Sequence, residues 1–249
     1  MSRTFYVAGK YGDIADVFRS PEDSVVILDN TSHASYTNLQ GGKNDVLILG
    51  GGEDVNPLMY TRKPSKFSCP LYGKGPGSYS DRDAVERNLI SVASVHGMRI
   101  VGICRGAQML FACLGGALIQ HITGHGEDHL VEFTPTGEDI FYKQGEKSLP
   151  TNVMSISSHH QMMYAATIRC KILLGNTYDN RLSKFYVVDD ENVIANKNDE
   201  DSVQIPEPDI VKAGTHFLMI QGHPEWGSPT HPYTKVCKVF FNDLIQGPK

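Results

Sequence analysis

The chain has 249 residues, a formal net charge of −5, 40% hydrophobic and 20% charged residues. That size suits a single α/β domain spanning residues 1–249, and an acidic balance without any dense Lys/Arg cluster argues against a nucleic-acid surface. No apolar stretch approaches a membrane span, MSRTFYVAGK lacks the apolar core of a secretion signal, and five irregularly spaced cysteines without a CxxC pair fit reduced thiols in a cytoplasmic protein better than disulfides or a thiolate zinc site.

In chain order, Thr4–Ala8, Ser24–Leu28 and Asp45–Leu49 read as short buried strands. The segment Pro57–Ser80 is rich in Pro, Gly, Lys and Tyr and reads as a loop able to cover a pocket. From Asp81 to about His96 the apolar residues Val85, Leu89, Ile90 and Ala93 share one helical face. Met98–Ile103 is the next strand, and the helix after it carries Met109, Leu110 and Leu114 before Gly115-Gly116 ends it. Asn196–Asp209 is acidic, holds two prolines and lacks periodicity, so it reads as a solvated surface loop. Phe217–Gln221 is a further strand, and Tyr233–Ile245 a closing helix. Strands alternating with helices imply a parallel sheet with right-handed crossovers, and ligands of such sheets bind beyond the carboxyl ends of the strands.

The chemistry concentrates at two strand ends. Val101-Gly-Ile-Cys104-Arg-Gly-Ala-Gln108 runs from a β-branched strand through a thiol directly into a helix, the elbow that lifts a nucleophile above a sheet. Gly102 and Gly106 flank it where strand and helix backbones approach, and the first helical turn favours negative charge on the sulfur. A buried cysteine after a strand is by default an inert small hydrophobe. The segment Gly222-His223-Pro-Glu225-Trp226 shifts that balance. Proline keeps the backbone extended, so His223 and Glu225 point to the same side; Glu225 can orient His223, and His223 can take the proton of Cys104.

These residues carry a family likeness. GICRGAQ with QGHPEW resembles the class I glutamine amidotransferase superfamily, and within it the γ-glutamyl hydrolase branch, peptidase family C26, which includes γ-glutamyl-γ-aminobutyrate hydrolases. Gly50-Gly-Gly-Glu-Asp54-Val-Asn-Pro57 is similar to the GGxDVxP segment of that branch, Arg82-Asp83 with Glu86 and Leu89 to its RDxxExxL helix, and Ser157-Ser-His159-His160-Gln161 to its SxHHQ segment. The chain departs from the pattern at Gly222, where an aromatic is usual, at Ile156, where an Asn is usual, and at His121, where an Asp is frequent. The first two flank the expected glutamyl pocket.

The resemblance implies a class I glutamine amidotransferase-like (flavodoxin-like) α/β three-layer sandwich with a mostly parallel central sheet, needing no cofactor. It implies a Cys104–His223–Glu225 triad that cleaves a γ-glutamyl amide C–N bond through a γ-glutamyl thioester. The backbone N–H of Arg105 and one from Gly51 or Gly52 are the natural oxyanion donors. Gln108 is expected to hold the glutamyl portion, with His159 and His160 lining the same mouth. The expected activity is that of a stand-alone γ-glutamyl hydrolase on a small-molecule substrate. The alternatives are a glutaminase subunit feeding ammonia to a separate synthetase and a catalytically silent binding protein on the same scaffold. A homo-oligomer is compatible with either activity. His121, His125 and His129 recur every four residues, a spacing that suits a metal on a helix; Gly124 and Gly126 argue against a regular helix there, so no metal site is expected.

Overall fold

The structure, a computed structural model, describes residues 2–10, 12–60, 81–119, 125–151, 153–176, 186–188, 193–195 and 207–247. Its elements are β1 (Thr4–Ala8), β2 (Ser24–Leu28), the one-turn helix α1 (Ala34–Thr37), β3 (Val46–Leu49), α2 (Asp81–Val95), β4 (Arg99–Ile103), α3 (Arg105–Cys113), β5 (Leu118–Ile119) and β6 (His129–Phe133). They continue with α4 (Pro135–Lys143), β7 (Val153–Ser155), β8 (Met162–Met163), β9 (Lys171–Asn176), β10 (Tyr186–Val188), β11 (Val193–Ala195), β12 (Glu207–Ala213), β13 (Phe217–Ile220) and α5 (Pro232–Gln246). The bounds expected from sequence for the first four strands, α2, α3, β13 and α5 agree with these to within a residue or two.

The central sheet runs β2-β1-β3-β4-β13-β12-β9-β6-β7. The pairings from β2 to β13 are all parallel. From β12 onward the strands pair antiparallel and form a wing. Side chains alternate across the parallel core, as the pleat requires. Val101 and Ile103 face one apolar cluster with Phe240 and Phe241 of α5, and Ile100 faces the other with Leu89 of α2 and Leu110 of α3. Helices therefore cover both faces, giving the three-layer sandwich, and Val85, Leu89, Ile90 and Ala93 are the buried face of α2 as their spacing predicts. Each such buried Val, Leu or Ile side chain contributes roughly 1.5–3 kcal/mol. A second, four-stranded sheet, β11-β10-β5-β8, has no counterpart among the elements expected from sequence.

Some expectations are corrected, and others fall outside the described residues. The surface loop expected over Asn196–Asp209 ends too late: Glu207 begins β12 and Asp209 is buried within it, paired through its carbonyl with the Gln221 N–H at 2.7 Å. The part of that segment before Glu207 lies outside the described residues. So do residues 61–80 of the expected pocket cover, and His121 of the histidine series. Among the described residues no helix is long and apolar enough to cross a membrane.

Candidate active site

β4 and β13 are neighbours in register, Ile103 opposite Ile220, so the residues beyond both carboxyl ends meet. The Cys104 N–H continues the ladder by donating to the Ile220 carbonyl at 2.7 Å. There the chain turns sharply. Cys104 has φ 51° and ψ −114°, and it is the one non-glycine residue with positive φ among those described. Such a conformation costs about 1–3 kcal/mol and persists only where the surroundings impose it. The surroundings do so through close contacts: a Cβ on Gly102 would lie 2.4 Å from the Gly106 carbonyl oxygen, and one on Gly106 would lie 2.1 Å from that of Leu49. Only bare backbones let β3, β4 and α3 pack this tightly around the elbow.

His223 follows β13 by three residues. Its N–H donates to the Ile156 carbonyl at 2.7 Å, and its Nδ1–H donates to Glu225 Oε1 at 2.8 Å. Pro224 fixes the path between them, and the buried Thr234 hydroxyl of α5 holds the Pro224 carbonyl at 2.9 Å. Burial of the ring draws its pKa down, but hydrogen bonding to Cys104 and to Glu225, and the charge of both, push it up to about 9. The ring thus stands between the thiol and the carboxylate. Gly51 closes the third side: a Cβ there would sit 2.9 Å from His223 Cε1 and 3.6 Å from Cys104 Cβ. The structure therefore brings together Cys104, His223, Glu225 and Gly51.

Arg105 is a different case. Its backbone opens α3 beside the thiol, while its guanidinium is fully buried and bound to Asp83 and Glu86 of α2. Arg82 pairs with the same Glu86 at 2.7 Å and donates from Nη2 to the carbonyls of Gly50 and Gly51, each at 3.0 Å. Gly52, with φ 147°, leaves room for that arginine, since a Cβ there would meet Arg82 Nη1 at 2.2 Å. The burial cost on Glu86 is outweighed by the two arginines, which hold its pKa below the usual carboxylate value. The sequence marks Arg82, Asp83 and Glu86 as a motif but gives them no role. Their role here is to tie the Gly50–Gly52 loop to the residue after the thiol.

A cavity of about 340 Å³ opens against Cys104, lined by Gly52, Asp54, Gln108, His159, His160 and Gln161 among others. Gln108 Nε2 donates to the Gln161 carbonyl at 2.8 Å and approaches Gln221 Oε1 at 3.4 Å, which fixes its amide at the cavity wall. His160 Nε2 bonds Asp54 Oδ1 at 2.9 Å. His159 is buried, donates from Nδ1 to the Gln161 carbonyl at 2.9 Å, and is held well below the usual imidazole pKa by that burial and by the charges of His125 and His129. The Gln161 side chain, which the sequence motif does not single out as a contact, is 1% exposed, and neither its Nε2 nor its Oε1 has a hydrogen-bond partner. A buried amide in a cavity wall with both ends unsatisfied is suited to a polar ligand.

Of the histidine series, His125 and His129 pack with His159, ring centroids 5.0 and 6.2 Å from it, rather than along a helix. Among the described residues no group of three His, Cys, Asp or Glu side chains is arranged to hold a metal ion. The two departures beside the pocket have local explanations. A Cβ on Gly222 would lie 2.4 Å from the Tyr233 hydroxyl and 2.5 Å from Ser155 Oγ, so α5 and β7 fill the space an aromatic would need. Both hydroxyls donate to the buried Asp209 carboxylate, at 2.5 and 2.6 Å. Ile156 serves through its backbone carbonyl, which takes the His223 N–H.

The fold is that of class I glutamine amidotransferase-like proteins. The profile of the peptidase C26 family matches residues 9–184, and the chain belongs to that family. It is 32% identical over 241 residues to the glutamine amidotransferase-like protein YvdE of Lactococcus lactis, spanning 92% of this chain and 86% of that protein. Solved structures share the fold at lower identity. A glutamine amidotransferase of Thermotoga maritima superposes with a TM-score of 0.53 at 14% identity, covering 98% of both chains. The glutaminase domain of Trypanosoma brucei CTPS, with bound acivicin, superposes with 0.55 at 13%, covering 99% of this chain and 94% of that one.

Proposed function

We propose that the chain is a γ-glutamyl hydrolase, a cysteine hydrolase that cleaves the amide between a glutamate side chain and an amine. The observation that carries this reading is the strained Cys104 elbow set against the His223–Glu225 pair beyond the end of the neighbouring strand. His223 takes the Cys104 proton, and the sulfur attacks the γ-carbonyl to form a tetrahedral oxyanion. The N–H of Arg105 and one from the Gly51–Gly52 loop receive that charge; losing one such donor typically costs about a hundredfold to a thousandfold in rate. The C–N bond then breaks, His223 passes its proton to the departing amine, and a γ-glutamyl thioester remains on Cys104. Water, deprotonated by His223, attacks the thioester and releases glutamate and the free thiol. Gln108 and Gln161 present amides to the glutamyl portion, with His159 and His160 at the same cavity.

The test is glutamate release by the purified chain alone, from glutamine and from a panel of γ-glutamyl amines. Fast cleavage of bulky γ-glutamyl amines supports the independent hydrolase. A second reading, a glutaminase subunit supplying ammonia to a separate synthetase, draws support from the likeness to YvdE and the fold shared with the CTPS glutaminase domain. It predicts slow turnover of glutamine alone. No turnover of any amide by a folded chain would leave only the silent binding protein.

A further inference from the structure

Trp226 is the only tryptophan of the chain. It is 60% exposed, yet its ring lies face to face with His223, with centroids 3.7 Å apart and planes inclined by 2°. That contact is built into the backbone. A single helical turn, Pro224–Trp226, returns the Trp226 N–H to the His223 carbonyl at 3.2 Å, and the Gly227 N–H to that of Pro224 at 3.3 Å. A proline in the first position and the Thr234 clasp from α5 leave this turn little freedom. The imidazole is therefore bounded by Glu225 at Nδ1, by the Gly51 backbone at Cε1, by Cys104 through the proton they share, and by the indole across one face.

Resting on the proposed role of His223 as acid and base, we propose that Trp226 is a positioning residue. Its indole holds the imidazole in the plane that joins Cys104 to Glu225 and stabilises the protonated ring through cation–π attraction. An indole face is the strongest aromatic partner for a cation, and here one side of the pair is walled by protein. The charged or titratable groups facing His223 are Cys104 from the elbow, Glu225 from its own turn and His159 from the segment before β8. Cys104 and Glu225 favour the protonated ring, and His159, buried and neutral, opposes it little. The Gly50–Gly52 loop and the residue after β7 meet the ring and its N–H with backbone alone. Trp226 adds a neutral contribution of the same sign as the two acids.

Two readouts test this. Activity that needs a protonated His223 to expel the amine falls as pH rises through the ring's pKa, so that alkaline limb reports the stacking. Trp226→Leu is expected to move the limb down by roughly 0.4–1.5 pH units and to lower kcat more than it alters KM, while Trp226→Phe keeps most of the wild-type position. The second readout does not require turnover. A protonated imidazole quenches an indole stacked on it, so the emission of the sole tryptophan should rise with pH at the midpoint of His223. In Glu225→Gln that midpoint should move to lower pH. An unmoved alkaline limb in Trp226→Leu, or tryptophan emission flat across the titration of His223, would overturn the proposal. Failure of every γ-glutamyl amide to react would instead count against the hydrolase reading, and the emission titration would still decide the stacking.

Discussion

The two halves of the site are held by opposite means. On the side of the proposed nucleophile, Cys104 is fixed by elements far apart in sequence: the glycine contacts among β3, β4 and α3, and a buried set of charges linking α2 to Arg105. On the side of the proposed base, the ring of His223 is held chiefly by its own neighbours, Glu225 two residues on and Trp226 three residues on, while its N–H is held by Ile156. One half is part of the core, and the other is a short turn seated on it. Substitutions of the glycines and buried charges that hold Cys104 should therefore disturb folding as well as rate, while those around His223 should disturb rate and its pH dependence.

The largest effect belongs to the thiol itself. Cys104→Ala should reduce glutamate release by at least about ten-thousandfold and leave the circular dichroism spectrum unchanged. Undiminished release would remove the proposed mechanism. Cys104→Gly should be equally inactive but more stable than Cys104→Ala by about 1 kcal/mol, because glycine relieves the positive φ and loses only part of that gain to backbone entropy. Denaturant unfolding of the two variants decides whether the elbow stores strain.

Glu225→Gln makes the matching test on the other half. It keeps the shape of the side chain but weakens the hold on the imidazolium, so the rate should fall by roughly a hundredfold to ten-thousandfold while stability changes little. Rates equal to wild type would argue against an orienting role. Arg105→Met should show the reverse profile, in stability before rate. It removes the buried guanidinium from Asp83 and leaves Glu86 with Arg82 and the Asn30 amide in a dry environment, a change of about 3–5 kcal/mol in unfolding free energy. A loss within a few tenths of a kcal/mol would mean that the buried charges do not tie the loop to the elbow.

The same division governs what can be read from the sequence. The elbow and the HPE turn are legible because each is encoded within a few consecutive residues: a β-branched run ending at a thiol between two glycines, and a proline between an imidazole and a carboxylate. The parallel core is legible for the same reason, since its strands are continuous apolar runs. The link from Asp83 and Glu86 to Arg105 is not, because it spans two helices and appears in sequence only as polar residues on an otherwise apolar face of α2. The start of β12 escapes because Glu207, Pro208 and Asp209 look like loop; burial of Asp209 depends on hydroxyls from Ser155 and Tyr233, far along the chain. The two-residue strands β5 and β8 are too short to show any periodicity. Trp226 has a local signal, its place at the end of the HPE turn, but an exposed tryptophan is weak evidence until its ring is seen stacked.

The smallest expected effect sets the two histidine environments against each other through stability. For His159 the folded ring binds its proton more weakly than the ordinary value of 6.5, chiefly through burial. The unfolded chain therefore takes up more protons below that pH, and the stability associated with neutral His159 is present above 6.5 and is lost as pH falls beneath it. For His223 the sign is reversed. Its folded pKa of about 9 lies above 6.5, so its contribution is complete below 6.5 and disappears as pH rises through about 9. Thermal midpoints measured across this range should be flattened on the acid side by His159→Gln and on the alkaline side by His223→Gln, each by a few degrees. A His223→Gln curve parallel to wild type between pH 6.5 and about 9 would mean that the imidazolium is not held by Cys104 and Glu225 in the resting protein. The hold on the base would then form only when substrate enters, and the contrast between a preformed nucleophile and a preformed base would reduce to the nucleophile alone.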